Sequence, residues 1–174
     1  MGIVEKIMIL IGLGANLPSA RYGPPKKTLE AALEELESHG VRVIKRSRWY
    51  SSAPLPPSGQ PRYLNAVAAL ETELTPEALL ALLHAIERDF GRQRSVPDAA
   101  REIDLDLLAY GDIIRDRPPP ILPHPRLAQR AFVLLPLCDI DPAWRHPQSV
   151  RSAGDLAAEA AEGADVELCE GSDF

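Results

Sequence analysis

Charged and apolar side chains alternate over residues 101–110, and this pattern constrains the fold most, because it predicts a β-strand buried on one face. The apolar positions are Ile103, Leu105, Leu107 and Ala109. Asp104 and Asp106 then share the opposite face, with their Cα atoms about 7 Å apart. Carboxylates at that spacing can bind hard divalent cations, and two-metal phosphoryl-transfer sites hold their ions about 3.5–4 Å apart. The alternative is a half-buried strand whose charged face is only solvated.

Cationic side chains flank this strand in the sequence on both sides. Upstream lie Arg88, Arg92, Arg94 and Arg101, and downstream lie His124, Arg126 and Arg130. Guanidinium groups match the geometry of phosphate oxygens. Cations around an acidic pair therefore favour a metal-bound polyphosphate ligand over a solvated strand face.

The order of the other elements predicts the fold class. Continuous or alternating apolar runs predict strands over residues 7–14, 41–50 and 63–72. One predicted helix begins at Pro24-Pro25 and ends at Gly40, and another is capped by Thr75 and ends at Gly91. With the strand at 101–110, the order is β-α-β-β-α-β, which predicts an α+β fold with a ferredoxin-like core and helices packed on an antiparallel-type sheet.

Smaller features complete this prediction. Gly12-x-Gly14 is interpreted as a tight turn after the first strand, with a weak phosphate-binding loop as the alternative. A short strand is expected at Ile113-Ile114, and extra C-terminal helices are expected from Ala131 and over residues 152–161. The acidic tail from residue 162 is expected to be loose.

Composition narrows the class of protein. The 174 residues fit one domain over 1–174, with a core over about 7–142 and a C-terminal helix and tail over 150–174. A net charge of −6 argues against a nucleic-acid partner. The apolar run at 7–13 is too short to span a membrane and is not followed by a cleavage site, which predicts no membrane partner and no signal peptide. Cys138 and Cys169 match neither a zinc nor a disulfide pattern, which favours a cytoplasmic protein.

Two stretches suggest a pocket for a flat ligand. Tyr63, Asn65 and Val67 share one face of a predicted strand, where asparagine is disfavoured unless its amide is bonded. That amide matches the edge of a heterocycle, or equally satisfies a neighbouring turn. The proline-rich loop at 51–61 either shapes a ligand site or is a plain connection.

Five short motifs, in this order and spacing, resemble the 6-hydroxymethyl-7,8-dihydropterin pyrophosphokinase family of folate biosynthesis. They are GLGANL at 12–17, QPRYLNA at 60–66, IExxxGR at 86–92, REIDLDL at 101–107 and PHPRxxxRxFVL at 123–134. The resemblance implies an ATP-dependent pyrophosphokinase that is expected to act as a monomer. It would transfer a pyrophosphoryl group from Mg-ATP to the pterin hydroxymethyl oxygen and release AMP.

The resemblance also implies roles for individual residues. Asp104 and Asp106 match the ligands of two Mg²⁺ ions, and Arg92 and Arg101 match catalytic positions. The pterin positions are Ser52, Ala53, Pro54, Leu55, Tyr63, Asn65 and Phe132. The ATP positions are His84, Glu87, Arg92, Arg94, Leu107, His124 and Arg130.

The chain departs from the family pattern in places. Residues 97–100 stand where a tryptophan is common, and their loop is one residue shorter than a common form. His84 replaces a frequent glutamine, and Ala53 replaces a frequent proline. Two other functions stay open: a different two-metal phosphotransferase acting on a heterocyclic alcohol, and a non-catalytic nucleotide-binding domain. The first would not need Tyr63, Asn65 and Phe132, and the second would not need the acidic pair.

Overall fold

The computed structural model describes residues 7–91 and 100–170, and its elements confirm the predicted α+β class. The strands are β1 (Ile9–Ala15), β2 (Arg42–Arg46), β3 (Tyr50–Ser52), β4 (Tyr63–Glu71), β5 (Asp104–Tyr110) and β6 (Val166–Leu168). The helices are α1 (Pro25–Ser38), α2 (Pro76–Asp89), α3 (Ala131–Ile140) and α4 (Ala153–Ala160), with a 3₁₀ turn at Leu127–Gln129.

The strands form one six-stranded sheet in the order β5-β1-β4-β3-β6, and β2 pairs with β4 alongside β3. Every pairing between these strands is antiparallel. As predicted, Thr75 caps α2, where its hydroxyl accepts the Ala78 amide at 3.2 Å. The chain leaves α2 through Gly91, whose φ of +97° favours glycine.

Apolar clusters lie on both faces of the sheet. Alternate β1 residues Ile9, Ile11 and Leu13 pack with α1 and α2 on the first face. Leu10 of β1 packs with α3 and α4 on the second face. Helices therefore cover both faces, and α3 leaves one end of the second face open. Among the described residues, no helix is both long and apolar enough to cross a membrane.

The predicted strand over residues 41–50 is wrong as a single strand, because a side chain interrupts it. Ser47 lies between β2 and β3, where its amide donates to Val67 O at 2.9 Å and its hydroxyl accepts the Val67 amide at 3.0 Å. The guanidinium of Arg46 stacks over Trp49, 4.4 Å from the ring centroid. These contacts break the ladder and let both short strands pair with β4.

Two predictions about β1 and β5 also fail. Gly12 and Gly14 do not form a turn, because both lie inside β1. In β5, Ile11 pairs with Leu107 and Leu10 pairs with Ala109, so the register skips Leu108. This bulge turns Ala109 away from the face that holds Leu105 and Leu107, and Ala109 packs with Leu108 in the second cluster.

The C-terminal part differs from the prediction as well. The segment after residue 162 is not loose up to residue 170, because β6 pairs with β3 and extends the sheet. No strand forms at Ile113-Ile114, although the next residue, Arg115, forms an isolated bridge with Leu122. The two helices expected after residue 130 are present as α3 and α4.

Candidate active site

A cavity of about 340 Å³ lies at the open end of the second sheet face. Most of the predicted site residues line it, and they are Ser52, Ala53, Pro54, Leu55, Tyr63, Asn65, Arg101, Asp104, Asp106, His124, Arg130 and Phe132. They come from β3, β4, β5, α3 and the connecting loops, so the sheet register brings together residues that are distant in the sequence. The volume suits a small-molecule ligand.

The floor of the cavity is a row of residues across three strands. Gly14 of β1 pairs with Asn65 of β4 on one side and with Asp104 of β5 on the other. Two residues further back, Gly12 pairs with Asp106. Paired residues point to the same face, so Asn65 and Asp104 stand about 9–10 Å apart across a glycine. The glycines leave this floor open between the amide and the carboxylates.

Two arginines stand beside the two carboxylates. Arg101 Nη1 lies 2.9 Å from Asp104 Oδ2, and Arg130 Nη1 lies 3.8 Å from Asp106 Oδ2. Burial, followed by the nearby Arg126, lowers the pKa of Arg130. An anionic ligand in this cavity would relieve that crowding of positive charge.

The tautomer of His124 follows from its contacts. Burial, then the charges of Arg130 and Arg126, lowers the pKa of His124 to about 4, so the ring is neutral at pH 7. Its Nδ1 accepts the Arg126 amide at 3.2 Å. The proton of the neutral ring is therefore on Nε2, which makes this atom a hydrogen-bond donor.

Asn65 is held firmly on the opposite side of the row. It is 5% exposed, and its Nδ2 donates to Ser52 Oγ at 2.9 Å and to Tyr63 O at 3.3 Å. Tyr63 and Phe132 bring aromatic rings to the same cavity. The Arg130 guanidinium lies 5.4 Å from the centroid of the Phe132 ring, which joins the aromatic side to the cationic side.

Three other predicted nucleotide residues, His84, Glu87 and Leu107, do not line the cavity. The Glu87 carboxylate is 1% exposed and accepts the Leu105 amide at 2.8 Å, so it supports β5 from the helix side. Leu107 packs in the first apolar cluster, and His84 is half-buried on α2. Arg92 and Arg94 lie outside the described residues.

The structure adds residues whose roles the sequence pattern did not predict. Arg126 and Gln60 line the cavity. Asn16 lies just beyond β1 and bonds to two cavity segments at once. The sequence did indicate Arg126 as a cationic residue near the site, since it follows His124 within a cationic run. Apart from the family motifs that contain them, nothing in the sequence indicated Asn16 and Gln60, because their contacts span more than 40 positions in the chain.

The sequence of this chain is similar to the sequences of known proteins. The family model described as 7,8-dihydro-6-hydroxymethylpterin-pyrophosphokinase matches residues 10–142. The 2-amino-4-hydroxy-6-hydroxymethyldihydropteridine pyrophosphokinase of Pseudomonas aeruginosa is 40% identical over 151 residues, which are 86% of this chain and 90% of that protein. The protein of the same name from Synechocystis is 40% identical over 141 residues, covering 80% of this chain and 69% of that protein.

Solved structures support the fold. A crystal structure of Plasmodium falciparum HPPK-DHPS with pteroate matches 90% of this chain with a TM-score of 0.70 at 13% identity. This chain spans only 44% of that longer chain. A further structure of the same protein, with STZ-DHP, matches with a TM-score of 0.72, also at 13% identity, and covers 90% of this chain and 46% of the other. On the sequence match over most of its length, the chain belongs to the 7,8-dihydro-6-hydroxymethylpterin-pyrophosphokinase family.

Proposed function

We propose that this chain performs the reaction for which its family is named, the transfer of pyrophosphate from Mg-ATP to the hydroxymethyl group of 6-hydroxymethyl-7,8-dihydropterin. The observation that carries this proposal is the row Asn65–Gly14–Asp104, which places an amide for a heterocycle edge across an open floor from a carboxylate. Arg101 and Arg130 beside the carboxylates suit the ATP phosphates.

The donor set fits magnesium carried by a polyphosphate. Asp104 and Asp106 both line the cavity, and no cluster of three or more acidic, histidine or cysteine side chains that could hold a metal occurs within residues 7–91 and 100–170. Mg²⁺ commonly binds through one or two carboxylates plus substrate phosphates and water. Asp104 and Asp106 would thus hold two Mg²⁺ ions. When bound, these ions neutralise phosphate charge and lower the pKa of the attacking hydroxyl.

The cationic residues then stabilise the transferred group. Arg101 and Arg130 lie against Asp104 and Asp106, and they turn their N–H groups to the phosphate oxygens when Mg-ATP binds. His124 donates a hydrogen bond from Nε2–H to a phosphate oxygen. We assign Arg92 and Arg94 to the phosphates as well, from the family resemblance alone.

The aromatic side of the cavity holds the pterin. Tyr63 and Phe132 stack on the ring, and the Asn65 amide pairs with its edge. Ser52 fixes the plane of that amide through the 2.9 Å bond to Nδ2. The backbone of residues 52–55 closes the remaining edge. These contacts aim the hydroxymethyl group along the open floor toward Asp104.

In the transfer itself, the hydroxymethyl oxygen attacks the β-phosphorus of ATP and forms a new P–O bond. The bond from the β-phosphorus to the α,β-bridging oxygen breaks, and that oxygen leaves with AMP. The hydroxyl proton passes to solvent, so no side chain needs to act as a general base. The chain supplies mainly position and charge stabilisation, which is the usual demand of phosphoryl transfer.

Other expectations from the sequence accompany this proposal. His84, Glu87 and Leu107 stay predicted nucleotide-side residues, and Glu87 has in addition the supporting contact with β5. The single domain over 1–174, the monomeric state, the cytoplasmic location and the absence of nucleic-acid and membrane partners also stay predictions.

An assay of AMP release tests the proposed function. With Mg-ATP, the protein should release AMP only when 6-hydroxymethyl-7,8-dihydropterin is added, and pyrophosphorylated pterin should form in equal amount. Asp106→Ala serves as the inactive control. AMP release with another heterocyclic alcohol but not with the pterin would favour a different phosphotransferase. Nucleotide binding without AMP release under any condition would favour a non-catalytic domain.

A further inference from the structure

Asn16 is a buried polar residue whose side chain reaches two different walls of the cavity. It is 3% exposed and follows the last residue of β1. Its Oδ1 accepts the Arg101 amide at 2.8 Å. Its Nδ2 donates to Gln60 Oε1 and to Pro61 O, both at 3.1 Å. A buried amide is stable only when its donors and acceptors are satisfied, so these bonds define one side-chain orientation.

The Oδ1 end of Asn16 fixes the backbone of Arg101. The backbone N–H of Asn16 donates to Arg101 O at 3.0 Å, and the backbone N–H of Leu17 donates to the same oxygen at 3.1 Å. Arg101 is therefore held by its amide and its carbonyl together. Its guanidinium then reaches Asp104 Oδ2 at 2.9 Å. This end of Asn16 sets the position from which Arg101 reaches the phosphate side of the cavity.

The Nδ2 end of Asn16 fixes the end of the proline-rich loop. Gln60 lines the cavity, and its Oε1, which accepts from Asn16, also lies 3.5 Å from the Tyr63 hydroxyl. Pro61 leads directly into β4, which carries Tyr63 and Asn65. This end of Asn16 therefore positions the residues of the cavity wall that faces the flat ring of the substrate.

We propose that Asn16 is a positioning residue that sets both halves of the cavity, the phosphate half through Oδ1 and the pterin half through Nδ2. It touches neither substrate, since it does not line the cavity among the described residues. The proposal rests on the proposed function for the identity of the two ligands. Its structural content, the joint anchoring of Arg101 and Gln60, does not depend on those ligands.

Calorimetry on three variants tests the proposal with 6-hydroxymethyl-7,8-dihydropterin and a non-hydrolysable Mg-ATP analogue. Asn16→Ala removes all three side-chain hydrogen bonds and should raise the Kd of each ligand about tenfold or more. Gln60→Met removes only the pterin-side partner and should raise the pterin Kd about fivefold with little change for the nucleotide. The double variant should weaken pterin binding by less than the sum of the two single variants, because both changes break the same Asn16–Gln60 contact.

Ser19→Ala is the matched control. Ser19 is also buried, at 7% exposed, and also follows β1, and its hydroxyl accepts the Arg21 and Tyr22 amides without lining the cavity. It should lower thermal stability without changing either Kd. Unchanged affinities in Asn16→Ala, with a loss of stability like that of Ser19→Ala, would overturn the proposal and leave Asn16 a purely structural residue.

Hydrogen exchange separates this result from a failure of the proposed function. If the wild-type protein binds neither ligand, the proposed function is wrong. The anchoring is then still tested without ligand, because Asn16→Ala should speed amide exchange both at Arg101 and around Gln60, and Ser19→Ala should do neither. Exchange that is unchanged at both places would overturn the positioning role directly.

Discussion

Replacing Glu87 tests whether this buried carboxylate supports the metal-binding strand from behind. The carboxylate is 1% exposed and accepts the Leu105 amide at 2.8 Å, and Leu105 stands between Asp104 and Asp106. Glu87→Leu takes the acceptor from a buried N–H group, which should lower the free energy of unfolding by about 2–3 kcal/mol. Glu87→Gln keeps an oxygen within reach of the same amide and should cost about 1 kcal/mol or less.

Urea denaturation measures this difference. With a slope of about 2 kcal/mol per M, the midpoint should fall by about 1–1.5 M in Glu87→Leu and by about 0.5 M or less in Glu87→Gln. Binding of a Mg-ATP analogue should weaken more in the leucine variant, because β5 carries both carboxylates. Glu34→Leu, on the exposed side of α1, is the control and should stay within about 0.5 kcal/mol of wild type. Equal midpoints for Glu87→Leu and Glu87→Gln would refute the reasoning.

Three further substitutions and one titration probe the cavity itself. Asp104→Ala and Asp106→Ala should each abolish turnover while the circular dichroism spectrum stays native, and activity above about a tenth of wild type would contradict a two-metal role. Asn65→Ala should raise the Kd of the pterin about 10–100-fold and leave that of the Mg-ATP analogue nearly unchanged, as measured by calorimetry. His124 should stay neutral in NMR titration until its pKa of about 4 is approached. Its burial should make the protein less stable as the pH falls from about 6.5 toward 4, because the unfolded chain takes up that proton first.

Local periodicity predicted the parts of the fold that depend on local chemistry. Alternation placed Asp104 and Asp106 on one face of β5, and Thr75 and Gly91 marked the two ends of α2. Two of the failures depend on non-local contacts. The break after β2 depends on Ser47 bonding to Val67 of another strand, and the pairing of β6 with β3 joins segments more than 100 positions apart. No pattern within either segment encodes such a contact.

In the site as well, the sequence predicts which residue types are present but not which contacts they make in the folded chain. Chemistry at a given spacing identified the carboxylates, and the cavity brings them together with Asn65 and His124. Asn65 was indicated by its place in a predicted strand and His124 by its cationic run, and the family motifs then gave both residues a role. Glu87 has the chemistry of a ligand residue, yet its carboxylate bonds to the backbone of β5. Asn16 has no chemical signal at all, because its role depends on two loops that meet it only in the folded chain. Positioning residues are therefore the part of a site that a single sequence reveals least.

Gly14→Ala should separate catalysis from folding, because the glycine lies between the two halves of the floor. A Cβ at this position would lie 3.6 Å from Asn65 Oδ1 and 4.0 Å from Asp104 Cβ, which are ordinary contacts. Alanine in a strand interior should raise the free energy of unfolding by about 0.5–1 kcal/mol. The same methyl group stands in the path of the hydroxymethyl oxygen and should lower turnover about tenfold or more, since small misplacements of reacting atoms are costly. Gly154→Ala in α4 should change neither ligand binding nor turnover. If Gly14→Ala released AMP at the wild-type rate, the pterin and the metal could not meet across this row, and the assignment of Asn65 and Asp104 to one reaction would fail.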